Sequence, residues 1–117
     1  SQPIYEIRKM KLSVVSTLYQ SSEHIDEFCQ RTSAAADSLV EHNYEIILVN
    51  DGSPDNSLEK AVKISRDNHH VTVVDLSKNF GHHKAMMAGL AQSSGDLVLL
   101  IDKLEKKYTD KDELVFA

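Results

Sequence analysis

The 117 residues are enough for one domain with a single modest core, and the apolar fraction of 41% and charged fraction of 26% are ordinary for a globular protein. The formal net charge of −5 gives no electrostatic basis for a nucleic-acid partner. A lone cysteine excludes an internal disulfide and fits a reducing, cytoplasmic compartment, and no apolar run approaches the roughly 20 residues of a membrane helix.

Apolar segments and amphipathic segments alternate along the chain. Four aliphatic runs predict buried strands at 12–19, 44–50, 71–76 and 96–102. Helical spacing predicts helices between them, from about Ser22 to His42, over 53–68 and over 81–95. For these helices we expect Ser22 and either Ser53 or Asp55 as N-caps, Pro54 in a first turn, Gly95 as a helix end, and Met86, Met87, Leu90 and Ala91 facing inward.

This β-α-β-α-β-α-β order predicts an α/β fold, with a mainly parallel, Rossmann-like sheet covered by helices on both faces. We expect residues 1–117 to form a single domain, with no repeat or linker before Asp102. The segment 103–117 holds eight charged residues and little periodicity. A charged helix, an edge element, a frayed end and a join across missing residues all remain open for it.

Polar side chains follow the carboxyl ends of the predicted strands, where open parallel sheets bind ligands near the reversal of strand order. They are Thr17, Tyr19 and Gln20; Asn50, Asp51, Gly52 and Ser53; Ser77, Lys78, Asn79, Phe80 and Gly81; and Asp102. Asp51 and Asp102 also have a simpler interpretation, because acids beside strand ends often only shape turns or cap helices. Their coincidence at one edge favours a shared ligand that offers amide-like donors and a cation.

Other patterns narrow the choice of ligand chemistry. No G-x-G-x-x-G follows the first strand and no G-x-x-x-x-G-K-[ST] occurs, so a classical dinucleotide site and a P-loop are both excluded on pattern. Three basic or titratable residues, His82, His83 and Lys84, open a predicted helix, where the helix dipole disfavours cations. They either face an anion or are simply exposed.

Three ordered motifs resemble family 2 inverting glycosyltransferases of the GT-A fold. They are "SVVSTLYQ" (13–20), "EIILVNDGSPDNS" (45–57) and "LSKNFGHHKAMMAGLAQSSGDLVLLID" (76–102), so the resemblance covers most of the chain. The last motif is most similar to the polyprenol-phosphate sugar transferases, such as dolichol-phosphate mannose synthase and bacterial undecaprenyl-phosphate glycosyltransferases.

The resemblance implies the nucleotide-sugar-binding half of a hexosyltransferase. Such an enzyme transfers a sugar with inversion from a UDP- or GDP-linked donor to a polyprenyl phosphate or to a glycan. It acts at the cytoplasmic face of a membrane, in cell-wall, lipopolysaccharide or other glycan biosynthesis. The implied substrate-binding residues are Thr17, Leu18, Tyr19, Asp51, Ser53, Lys78, Asn79 and Gly81, with Asp51 accepting a hydrogen bond from the base. Asp102 is the implied ligand of Mg²⁺ or Mn²⁺ on the diphosphate. No catalytic residue is assigned.

One departure from the family pattern supports a competing interpretation. Leu104 stands where the family has the second acid of its D-x-D metal motif, and Glu105 follows it. The alternative is a catalytically silent nucleotide-binding or scaffold domain with the same fold.

Overall fold

The structure, a computed structural model, describes residues 6–102. Within this range the elements run β1 (Leu12–Leu18), α1 (Ile25–Val40), β2 (Tyr44–Asn50), α2 (Ser57–Asp67), β3 (Val71–Asp75), α3 (His82–Gln92) and β4 (Leu97–Ile101). The predicted alternation of strands and helices is confirmed. The interpretations offered for 103–117 lie outside the described residues.

All three strand pairings in the described sheet are parallel, and the strand order is β3-β2-β1-β4. The chain moves outward from β1 to β3 and then returns to the other side of β1 to form β4. The order therefore reverses at β1, between β1 and β4. In open α/β sheets this switch point opens a crevice at the carboxyl ends of the strands.

Helices cover both faces of the sheet and create two apolar clusters. One face of β1 and β2 packs against α1 and α2, and Phe28 of α1 is fully buried there beside Val14 and Leu18. The opposite face packs against α3 through Val15, Ile47 and Val49. Every residue of β1 is buried because the strand is central and covered on both sides.

Helix α3 lies unusually close to the sheet because it presents small residues. Ala85 and Gly89 are its buried positions, and a Cβ built on Gly89 would lie 2.3 Å from Cγ1 of Val15. The prediction that Met87 faces inward is wrong, since this side chain is 51% exposed. Ala91 is also exposed, whereas Met86 packs against the sheet as predicted.

Side-chain hydrogen bonds shift the helix boundaries from their predicted positions. Helix α1 begins at Ile25 with no side-chain cap, so the predicted Ser22 cap is wrong. Helix α2 begins at Ser57 because the residues before it form a turn around Asp55. Oδ1 of Asp55 accepts hydrogen bonds from the hydroxyls of Ser53 and Ser57 and from the Ser57 N–H. Pro54 therefore lies in this turn and not in the helix.

At the amino edge of the sheet, four residues form a polar network: Lys11, Ser13, Glu45 and Ser94. Oε2 of Glu45 accepts hydrogen bonds from the Ser13 hydroxyl (2.6 Å) and from the N–H and hydroxyl of Ser94 (2.7 and 3.0 Å). Burial alone would raise the pKa of Glu45, but these hydrogen bonds and the charge of Lys11 outweigh it and lower the pKa below its ordinary value. This network fixes the loop before β4.

Gly95 belongs to that loop and does not end α3, which stops at Gln92. Its N–H donates to Oγ of Ser13 at 2.8 Å, and a Cβ at this position would lie 2.6 Å from the same oxygen. The glycine is therefore required for close approach to β1. Within residues 6–102, no helix has the length and hydropathy needed to cross a bilayer.

Candidate functional site

The carboxyl edge of the sheet brings together the segments that the sequence singled out. Leu18 of β1 pairs in register with Asn50 of β2, and Ser16 pairs with Ile101 of β4. The residues that follow, including Asp51 and Asp102, leave the sheet at the same edge with β1 between them. The predicted convergence of these segments is therefore present in the fold.

Asp51 links two loops of this edge. It is 5% exposed, and its Oδ1 accepts a hydrogen bond from the N–H of Phe80 at 2.9 Å. Its own N–H donates to the carbonyl of Leu18 at 3.1 Å. The simpler interpretation of Asp51 as the cap of α2 does not hold, because the helix starts at Ser57. The carboxylate instead joins the loop after β2 to the loop after β3.

The backbones of these two loops touch at Gly52. This residue has φ +64°, and a Cβ built on it would lie 2.4 Å from N of Asn79 and 2.6 Å from C of Lys78. Both the conformation and the contact require glycine. The Asp51–Phe80 hydrogen bond is formed next to this contact, so each supports the other.

The loop after β3 presents polar and aromatic groups to solvent. Phe80 is 40% exposed, and Nζ of Lys78 lies 5.2 Å from the centroid of its ring. Oδ1 of Asn79 accepts a hydrogen bond from the N–H of Gly81 at 2.9 Å, which orders the turn into α3. Lys78, Asn79 and Gly81 thus lie on one short segment whose backbone is held by Asp51.

At the switch point, one histidine joins β1 to the end of β4. His82 is the first residue of α3, and its Nε2 lies 2.8 Å from Oδ1 of Asp102. Its Nδ1 lies 3.4 Å from Oγ1 of Thr17, which is buried in β1. The sequence left an anion contact and simple exposure open for His82, and the structure shows an anion contact, in which the anion is the carboxylate of Asp102. The sequence signal for this contact was the position of His82 at the start of the helix that follows the loop after β3.

The remaining candidates contribute in different ways. The side chain of Leu18 is in the core, so its part in the edge is the carbonyl that binds Asp51. Tyr19 is partly buried, and its N–H donates to Oγ of Ser21. Ser53 accepts a hydrogen bond from the N–H of Gln20 at 2.7 Å. The turns that follow β1 and β2 are therefore bonded directly to one another.

The carboxyl group of Asp55 supports this connection. Burial would raise its pKa, but hydrogen bonds from Ser53, Ser57 and Ser22 hold the pKa far below its ordinary value. The carboxylate therefore stays ionised while hydroxyl and amide groups donate hydrogen bonds to it. Its hydrogen bond from the Ser53 hydroxyl holds Ser53 in position to accept the Gln20 N–H.

The described residues contain no group of three His, Cys, Asp or Glu side chains able to hold a metal ion. What the switch point offers to a metal ion is the carboxylate of Asp102, whose side chain is 62% exposed. Mg²⁺ is commonly bound through one or two carboxylates together with substrate phosphates and waters. Asp102 fits that arrangement as one ligand, and it does not form a metal site without a phosphate-bearing partner.

The fold is a parallel, Rossmann-like α/β domain with polar residues gathered at its carboxyl edge, and comparison with known proteins gives the family. Residues 13–103 match Glycosyl transferase family 2, so the chain belongs to this family. A Mycobacterium tuberculosis (strain CDC 1551 / Oshkosh) protein that carries the name of a glycosyltransferase is 53% identical over 93 residues, which are 80% of this chain and 27% of the relative.

Solved structures agree with the fold. S. aureus TarS 1–349 in complex with UDP is 29% identical, with a TM-score of 0.68 over 80% of this chain and 27% of the TarS 1–349 chain. The mannosyltransferase PcManGT from Pyrobaculum calidifontis, solved with GDP-Man and Mn²⁺, has a TM-score of 0.71 with the same coverage. Its 17% identity shows the shared fold alone. The chain spans about a quarter of the length of these relatives.

Proposed function

We propose that this chain is the donor-binding part of a glycosyltransferase that uses a UDP- or GDP-linked sugar. The observation that carries the proposal is the meeting of Thr17, His82 and Asp102 at the switch point of a sheet whose sequence belongs to Glycosyl transferase family 2. An acid at this position faces the crevice where such folds bind nucleotides. The UDP in the TarS structure supports the donor class.

In this proposal Asp51 recognises the base. A carboxylate has two oxygens and accepts several hydrogen bonds, and the Phe80 N–H uses Oδ1. A carboxylate can accept a hydrogen bond from the imide-type ring N–H of uracil or guanine. Cytosine has an acceptor nitrogen at the equivalent ring position and cannot donate this bond. Because Asp51 is held by Phe80 and Gly52, it is oriented before the nucleotide arrives. Tyr19 lines the nucleotide pocket in the same proposal, and Thr17 acts there through His82. The expectation that Leu18 binds the nucleotide is corrected, because its side chain is buried in the core and its carbonyl accepts the Asp51 N–H.

The loop after β3 serves the phosphates and ribose. Lys78 adds positive charge beside the exposed ring of Phe80, and Asn79 and Gly81 present polar groups on the same segment. Ser53 is fixed by its hydrogen bond to the Gln20 N–H. Because the Ser53 hydroxyl already donates to Asp55 and the Gly81 N–H to Asn79, the donors that remain for a ligand are the ammonium of Lys78 and the side-chain amide of Asn79.

Asp102 is the proposed protein ligand of a divalent cation, Mg²⁺ or Mn²⁺. When bound, the cation stabilises the negative charge that grows on the diphosphate as the glycosidic bond breaks. The exposed carboxylate at the switch point supports this assignment. The residues of this chain bind and orient the donor.

We also propose a polyprenyl phosphate as the acceptor, with inversion at the anomeric carbon and a location at the cytoplasmic face of a membrane. The support is the similarity of residues 76–102 to polyprenol-phosphate sugar transferases. Leu104 favours the second candidate function, a catalytically silent nucleotide-binding domain, because a second acid of the metal motif is replaced.

Calorimetry with UDP, GDP and CDP, each with and without Mn²⁺, tests the proposal. We expect UDP or GDP to bind about 10- to 100-fold more tightly than CDP, since a hydrogen bond to a charged group contributes about 1.5–3 kcal/mol. Asp51→Asn should remove most of this discrimination, and Asp102→Ala should remove the Mn²⁺ enhancement. Asp67→Asn, an exposed acid at the end of α2, is the matched control and should bind like the wild type.

The outcomes separate the two candidates. Nucleotide binding that Mn²⁺ does not strengthen supports the silent domain. Absence of binding by both UDP and GDP contradicts both candidates.

A further inference from the structure

Both ring nitrogens of His82 are engaged, and they join two different strands. Nε2 lies 2.8 Å from Oδ1 of Asp102 at the end of β4, and Nδ1 lies 3.4 Å from Oγ1 of Thr17 in β1. Thr17 is 1% exposed, whereas the side chains of His82 and Asp102 are 47% and 62% exposed. The histidine therefore connects a fixed, buried hydroxyl to an exposed carboxylate.

The chemistry of the three groups sets the direction of the hydrogen bonds. An ionised Asp102 only accepts, so Nε2 of His82 carries the proton that is donated to it. In a neutral ring Nδ1 is then the acceptor for the Thr17 hydroxyl. The ring is held at both ends, which restricts the rotation of the carboxylate that it contacts.

We propose that His82 is a positioning residue, which fixes the Asp102 carboxylate toward the cation of a bound nucleotide donor. This inference rests on the proposed function. Exposed ion pairs contribute little to folding stability, so stabilisation alone gives a weak reason for the contact. Carboxylates that ligate metals are themselves usually hydrogen-bonded, and loss of such partners typically weakens metal affinity about 10- to 100-fold. His82 occupies that place for Asp102, and Thr17 anchors it.

Calorimetry of UDP and GDP, with and without Mn²⁺, tests the inference on the 117-residue chain. His82→Leu should reduce the Mn²⁺ enhancement, the ratio of nucleotide affinity with Mn²⁺ to that without it, by about 10-fold or more. His82→Gln keeps an N–H donor of similar reach and should restore most of the enhancement. His83→Leu is the matched control, because His83 is the adjacent exposed histidine in the same turn, and it should retain the wild-type enhancement.

A merely structural role would weaken binding equally in the presence and absence of Mn²⁺, and that result would overturn the inference. So would an unchanged Mn²⁺ enhancement in His82→Leu. Thermal unfolding of each variant shows whether the fold is kept, and His82→Gln provides the comparison if His82→Leu does not fold.

NMR of the histidine ring tests the contact between His82 and Asp102 in the absence of metal and nucleotide. In the metal-free protein, the ¹⁵N signals of the His82 ring should show the proton on Nε2, and Asp102→Asn should change that distribution. Ring signals that do not respond to Asp102→Asn overturn the inference, whatever the nucleotide data show. A wild-type protein that binds neither UDP nor GDP overturns the proposed function, and with it the role of His82 toward a donor-bound cation.

Discussion

Gly52→Ala should destabilise the protein more than any comparable glycine change in the loops of the carboxyl edge. The positive φ of +64° costs an alanine about 1–2 kcal/mol, because Cβ approaches the carbonyl oxygen in the left-handed region. The new methyl would also lie 2.4 Å from N of Asn79 and 2.6 Å from C of Lys78, both of them backbone atoms. Inserting a methyl into a packed site costs about 1–3 kcal/mol. We therefore expect a total loss of about 2–5 kcal/mol, a large share of the roughly 5–15 kcal/mol of a typical domain.

Gly81→Ala separates the two terms of this cost. Gly81 also has a positive φ, +96°, but nothing lies within 4 Å of a Cβ built on it. The Gly81→Ala variant should lose only the stability that the unfavourable backbone conformation costs, about 1–3 kcal/mol. Urea unfolding followed by circular dichroism measures both variants. Hydrogen exchange at the Phe80 amide should also speed up in Gly52→Ala, since displacement of the loop lengthens the bond to Asp51. Equal losses in the two variants, with Phe80 exchange unchanged, would refute the argument that backbone contact holds the loops together.

Three further changes test other parts of the fold. Because Glu45 has a lowered pKa in the folded state, its carboxylate contributes stability that is complete above its unfolded pKa of about 4.3 and is lost as pH falls through the lower folded pKa. Glu45→Gln should therefore be less stable than wild type at pH 7, with the difference shrinking in acid unfolding curves; a constant difference contradicts this. Burial, reinforced by the charge of Asp26, raises the pKa of Cys29 to about 12, so thiol reagents at pH 8 should modify it only after unfolding, and rapid labelling of the native protein would show that the site opens. Phe28→Ala should lose about 3–5 kcal/mol in urea unfolding, whereas a loss below about 1 kcal/mol would show that the cluster around it collapses to fill the space.

The order and type of the elements could be predicted from the sequence because each strand is a mainly apolar run, and β4 is entirely apolar. β2 was predicted with its observed bounds, Tyr44–Asn50, since polar residues flank it on both sides. Helix starts were predicted poorly because several nearby residues were equally good caps. The hydrogen bonds of Asp55 decided the start of α2, and they involve Ser22, from a different part of the chain.

The gathering of polar residues at one edge was also predictable, since all carboxyl ends of a parallel sheet share an edge. The individual contacts were not. The bond between Asp51 and the Phe80 amide depends on how two loops from different strands approach each other. The position of His82 depends on the depth at which α3 lies, and Gly89 sets that depth by contact with Val15. Periodicity records which face of a helix is apolar but not how close that face comes to its neighbour.

The central position of β1 also bears on how the chain acquires its structure during synthesis. The hydroxyl of Ser13 donates a hydrogen bond to Glu45, 32 positions later, whereas the N–H of Lys11 donates to Asp96, 85 positions later. One flank of β1 therefore stays unpaired until Asp96 and the strand that follows it, about 85 positions further along, have been synthesised. Long-range parallel pairing of this kind is slow, and until it forms, the unpaired side of β1 can pair with a wrong strand or with another chain. A chaperone that shields the nascent chain up to β4 should accordingly raise the soluble yield more than one acting only on the finished polypeptide.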